Sequence, residues 1–109
     1  IMIKKLFCTA ILLAFTTYGM SQATADERAK EITREMVEVL SLNADQKNKV
    51  YKVQFERFTI ADQIRQEHID APQILKSKLK KVYDKLYGKL SAVLGDELMM
   101  RWKQYKQNN

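Results

Sequence analysis

The chain has 109 residues, 46% of them apolar and 29% charged, which suffices for one small domain with one core and not for two. Three Gly and one Pro are too few for a sandwich or barrel, which needs a turn signal roughly every 8–12 residues, so an all-helical chain is expected. The net charge of +6 favours anionic or acidic partners.

The first residues differ from the rest. Lys4 and Lys5 precede an apolar run from Leu6 to Phe15, followed by Thr16, Thr17, Tyr18 and Gly19. A basic start and an apolar run too short to span a bilayer form the pattern of a secretory signal peptide, expected over residues 1–23. Cleavage is expected after Ser21, with Gly19 as the second small residue, or after Ala23, with Ser21 in that place. The one cysteine, Cys8, lies inside the apolar run. The mature part, residues 24–109, therefore has no disulfide, thiolate metal site or cysteine nucleophile. Without Lys4 and Lys5 it keeps 17 basic residues against 13 acidic ones, a charge of +4. An exported protein rarely meets nucleic acid, so acidic proteins, lipid headgroups or unfolded chains are the expected partners.

Four helical segments follow in one expected domain. Thr24 and Glu27 have capping-box spacing, and Ala29, Ile32, Met36, Val39 and Leu40 then recur at three- and four-residue steps. In Leu42-Asn43-Ala44-Asp45-Gln46, Asn43 is a strong N-cap and Gln46 completes a second box. Leu42 takes the staple position, with only the aliphatic stem of Lys47 as partner. The second helix presents Tyr51, Phe55, Phe58, Ala61 and Ile64, widened by Val50, Val53 and Ile60. That face is broader than one helix contact covers, so it packs on two sides or keeps part free for a partner.

Asp70 and Gln73 are again at box spacing, with Pro72 in the first turn of a third helix. Leu75, Leu79, Val82, Leu86 and Val93 run near heptad spacing beside Tyr83, Tyr87, Leu90 and Leu94, and six lysines from Lys76 to Lys89 make this helix basic. Those lysines spread around the helix, which argues against a membrane-surface role. Gly95 or Asp96 caps a last short helix with Leu98, Met99, Trp102 and Tyr105.

A leucine, a capping residue and a Gln three positions later, at a helix start in a small exported helical chain, resemble the LTxxQ motif of the Spy/CpxP-like periplasmic proteins. Leu42, Asn43 and Gln46 supply it, with Asn43 in place of Thr, a substitution that keeps the capping role. Leu94-Gly95-Asp96-Glu97-Leu98 is similar to a degenerate second copy in which Leu94 matches and Gly95 and Leu98 do not. The resemblance implies a four-helix cradle of long bent helices, hairpin-like and paired as an antiparallel homodimer. It also implies an ATP-independent periplasmic chaperone, or alternatively a regulatory or metal-responsive partner of an envelope-stress sensor kinase. One fold serves all three roles.

Promiscuous capture of unfolded envelope proteins needs accessible apolar groups and long-range charge, for which Phe55, Phe58, Tyr83, Tyr87, Lys80, Lys81 and Lys85 are the candidates. Leu42, Asn43, Gln46 and Leu94 are expected to be structural. Wide apolar faces on a short chain also favour a dimer. His68, the one histidine, reads as a surface residue at a helix end rather than a metal ligand, because its neighbours Glu67 and Asp70 point elsewhere on a helix. No cofactor is implied. Nucleophile–base pairs, phosphate loops and HExxH are missing from the sequence, so an enzyme is not expected.

Overall fold

The computed structural model describes residues 23–109; the expected signal peptide and its cleavage point lie almost wholly outside them. The fold is all-α, with four helices in chain order: α1 (Ala25–Leu40), α2 (Ala44–Glu67), α3 (Pro72–Leu94) and α4 (Asp96–Asn108). Neighbours in sequence pack on one another, and α4 closes the arrangement by reaching back to α1. No helix among the described residues is long and apolar enough to cross a membrane.

The first junction explains the Leu-Asn-x-x-Gln stretch. Ser41 ends α1 in the left-handed conformation (φ 55°, ψ 51°), and the Leu42 N–H donates back to the Val37 carbonyl at 3.3 Å. This is the six-to-one bond of a Schellman ending. The Gln46 N–H donates to Asn43 Oδ1 at 2.8 Å while the Asn43 N–H donates to Gln46 Oε1 at 3.0 Å, a complete capping box. Leu42 does not staple onto Lys47 as its position suggests. It is buried in the core, where Val37 packs against the same cluster. The stretch thus closes one helix with its leucine and opens the next with its two amides.

Two other caps depart from expectation. Asp70 and Gln73 form no box: Ala71 is the N-cap without a side-chain bond, and Pro72 takes the first helical position. Proline's fixed φ suits that position, and its missing N–H leaves one fewer donor to satisfy. At the last junction the single residue Gly95 (φ 83°, ψ 167°) is both the end of α3 and the N-cap of α4, again without a side-chain bond. Its N–H donates to Ser91 O at 2.8 Å and its carbonyl accepts from the Met99 N–H at 3.1 Å. That backbone region is essentially restricted to glycine. Thr24 caps α1 by accepting from the Glu27 N–H at 3.1 Å.

The main core joins Met36 and Leu40 of α1, Leu42, Val50 of α2, Leu90 and Leu94 of α3, and Met99 and Trp102 of α4. All of it lies at the end of the bundle that holds the first and last junctions. Met36 is fully buried, worth about 1.5–3 kcal/mol relative to an exposed side chain. At the opposite end, Ala29 of α1 and Ala61 and Ile64 of α2 are buried, whereas the first half of α3 has no fully buried side chain.

Of the face expected on α2, Val50, Ala61 and Ile64 are buried, joined by Gln54, whereas Tyr51 and Phe58 are half-buried and Phe55 is exposed. Gln54 is only 3% exposed, and its amide is satisfied inside. Its Nε2 points to Met36 Sδ at 3.5 Å, and its Oε1 accepts from Arg57 at 3.2 Å. Thr33 is likewise buried on α1, with Ile32 and Val39 at the margin.

Candidate functional site

The hairpin of α2 and α3 carries most of the candidate surface. Polar contacts hold the two helices in register: Lys89 reaches Glu56 at 3.0 Å, and Arg65 donates to the Tyr83 hydroxyl at 3.2 Å. On the other side, Arg28 of α1 pairs with Asp62 at 2.5 Å, and Asp62 also receives Arg65 at 3.5 Å. Tyr51 donates its hydroxyl to Asp26, whose carboxylate also meets Lys30 at 3.1 Å. The Tyr51 bond, then the one from Lys30, holds the Asp26 carboxyl below its ordinary value, and the same bond raises the Tyr51 phenol.

The expected capture residues divide into three groups. Phe55, 40% exposed, stacks on Tyr51 with ring centroids 6.0 Å apart, and Tyr87 is 56% exposed. Phe58 is half-buried beneath two guanidiniums, Arg28 at 4.8 Å and Arg57 at 5.0 Å from its ring, so it is occupied within the fold. Tyr83, also half-buried, carries Arg57 at 5.3 Å over its ring. Lys80 pairs with Asp84 at 3.0 Å one helical turn away, while Lys81 and Lys85 are exposed and make no ion pair among the described residues. The candidates therefore do not converge on a single pocket. Phe55 sits beside Tyr51, which bonds to α1, and Phe58 beneath Arg28, while Tyr83, Tyr87 and the three lysines lie on α3.

Two apolar residues that periodicity did not single out are exposed as well. Ile69, in the turn between α2 and α3, is 74% exposed, and Ile74 in the first turn of α3 is 49% exposed. An isoleucine in a turn breaks helical periodicity, and Ile74 falls beside the Leu75–Leu79 stripe. Leu42 and Leu94 are buried in the same core cluster, and Asn43 and Gln46 are joined in the capping box.

His68 differs from the expectation of a surface residue. It ends α2, its Nε2 is buried without a hydrogen-bond partner, and the same atom stands 3.9 Å from Glu67 Oε2. The helix has ended at His68, so adjacent side chains are no longer splayed by the helical rotation. No group of three or more His, Cys, Asp or Glu comes together among the described residues.

A separate cavity of about 260 Å³ opens between α2, α3 and α4. Its walls include Arg57, Tyr83, Tyr87, Leu90, Trp102 and Lys106. Trp102 and Tyr105 stack with centroids 5.5 Å apart, and Lys106 Nζ lies 5.7 Å over the Trp102 ring. The Glu35 carboxylate of α1, as a hydrogen-bond acceptor and a negative charge, raises the Tyr105 phenol.

The fold defines a small all-helical domain with exposed aromatic and basic residues. The family model described as a domain of unknown function, DUF4890, matches residues 16–106, and the chain belongs to that family. No curated protein and no solved structure matches it.

Proposed function

We propose that the protein is exported to the periplasm and binds unfolded or partly folded envelope proteins there without ATP, as a homodimer of the Spy/CpxP-like kind. The observation that carries this reading is the exposure of Phe55, Ile69, Ile74 and Tyr87 along the α2–α3 hairpin, which also carries the exposed Lys81 and Lys85. Each exposed apolar group gains free energy when a client covers it. Scattered along two long helices rather than gathered in one pocket, they suit weak contacts with varied sequences. The two exposed lysines provide charge for capture at long range, an effect that salt weakens. Dimerisation would cover part of this apolar surface and join the rest into a larger one.

The reading is tested by light scattering from a chemically unfolded client, comparing the wild-type mature protein with Phe55→Ser/Tyr87→Ser and with Lys81→Gln/Lys85→Gln. The aromatic variant should lose suppression at every salt concentration. The lysine variant should lose it chiefly at low salt. Full activity in both would remove these residues from the mechanism.

A further inference from the structure

The cavity between α2, α3 and α4 has a chemistry of its own. Among its described lining residues are two cations and three aromatic rings and no carboxylate. Arg57 is half-buried; its guanidinium is spread over Phe58 and Tyr83, and one of its amino groups donates to Gln54. Lys106 stands at the rim above Trp102. Arg28, Arg65 and Lys89 each have a carboxylate within 4.0 Å, whereas Arg57 and Lys106 have none among the described residues. Desolvation, and then the charge of Arg57, hold the Lys106 ammonium below its ordinary value. Both cations line the same largely apolar opening, and no carboxylate is among its described lining residues, an arrangement that an anion between them would relieve.

We propose that this cavity binds a small amphipathic carboxylate, with its apolar body against Tyr87, Leu90 and Trp102 and its single charged group between Arg57 and Lys106. The volume, about 260 Å³, lies just below the range of small-molecule sites, roughly 300 Å³ and upward, so the body is short. The mostly apolar wall disfavours a heavily hydrated dianion such as a phosphate monoester. The guanidinium's remaining N–H groups suit a planar carboxylate. Two sources share this chemistry: a medium-chain fatty acid, and the apolar C-terminal residue of a peptide. The site contains neither Lys81 nor Lys85 and shares Tyr87 with the proposed capture residues, but it is tested by ligand binding rather than by client aggregation and does not depend on the chaperone reading.

Trp102 is the only tryptophan and lines the cavity, so its fluorescence reports occupancy directly. Decanoate, below its micellar concentration, and an acetylated tripeptide ending in leucine are titrated into the mature protein. Decanol and the amidated tripeptide serve as partners without the charge. A saturable Trp102 response is expected with at least one of the carboxylates, weakened about tenfold or more in its uncharged partner, the loss of one charge-assisted hydrogen bond. Lys106→Gln, at the exposed rim, should weaken it similarly, as should Arg57→Gln if far-UV circular dichroism shows that variant folded. Response to decanoate alone assigns the site to free acids, and response to the tripeptide alone assigns it to chain termini. Equal binding of the uncharged partners, an unchanged affinity in Lys106→Gln, or no saturable response to either carboxylate overturns the proposal.

Discussion

Gly88 and Gly95 make opposite predictions from the same substitution. Alanine at either position would place its Cβ in open space, with nothing within 4 Å, so contacts with neighbours do not decide the sign. Only the backbone does. Gly88 lies inside α3 with ordinary helical geometry, and Gly88→Ala should stabilise the fold by about 0.5–1 kcal/mol by removing a flexible residue from the unfolded chain. Gly95 sits at φ 83° and ψ 167°, and Gly95→Ala should cost about 1–3 kcal/mol for forcing an L-residue into a region glycine alone occupies readily. At about 4–8 °C per kcal/mol for a domain of this size, the two variants should melt on opposite sides of wild type. Urea unfolding followed by far-UV circular dichroism measures both, and the double variant should show the sum within about 0.5 kcal/mol. A Gly95→Ala protein as stable as wild type would refute the one-residue junction between α3 and α4. A destabilised Gly88→Ala would refute the open space at Gly88.

Asn43→Ala removes one half of the capping box and exposes the other, and should cost roughly 1 kcal/mol in the same unfolding assay; an unchanged midpoint would deny the box an energetic role. The Tyr51–Asp26 bond makes stability depend on pH at both extremes. Because the Asp26 carboxyl is depressed, its contribution is present above its ordinary value of 3.8 and lost as pH falls through the lower folded value. Because the Tyr51 phenol is raised, its contribution is present below 10.0 and lost as pH rises through the higher folded value. The stability gap between wild type and Tyr51→Phe should therefore be widest near neutral pH and shrink toward both ends; a constant gap across the range would contradict the bond. The homodimer is tested by sedimentation equilibrium of the mature protein, where a monomer at tens of micromolar would contradict it.

Helix number and order were legible because capping residues and apolar spacing agree at most boundaries. Thr24 caps by accepting from the backbone, and Asn43 and Gln46 cap in both directions. The failures have particular causes. The burial of Gln54 was not foreseen, because no spacing rule reveals that Arg57 and Met36 satisfy its amide. Asp70 and Pro72 compete for the start of α3, and the proline's fixed φ decides it one residue further on. For Leu42 the staple rule names a local partner, but the Schellman ending directs the side chain into the core. The cavity was invisible for a different reason. Arg57, Tyr83 and Lys106 lie on three helices, and only tertiary packing brings them together. Of the residues expected to capture clients, Phe55, Tyr87, Lys81 and Lys85 are exposed, whereas Phe58 is committed to Arg28 and Arg57, contacts across helices that no spacing rule shows.

Aggregation of a chemically unfolded client protein, followed by light scattering without nucleotide at low and high salt, is the most direct test of the proposed function. Suppression near one dimer per client, weakened by salt, is the predicted result. No suppression at either salt would contradict the chaperone reading and turn attention to the alternative, a partner of an envelope-stress sensor kinase.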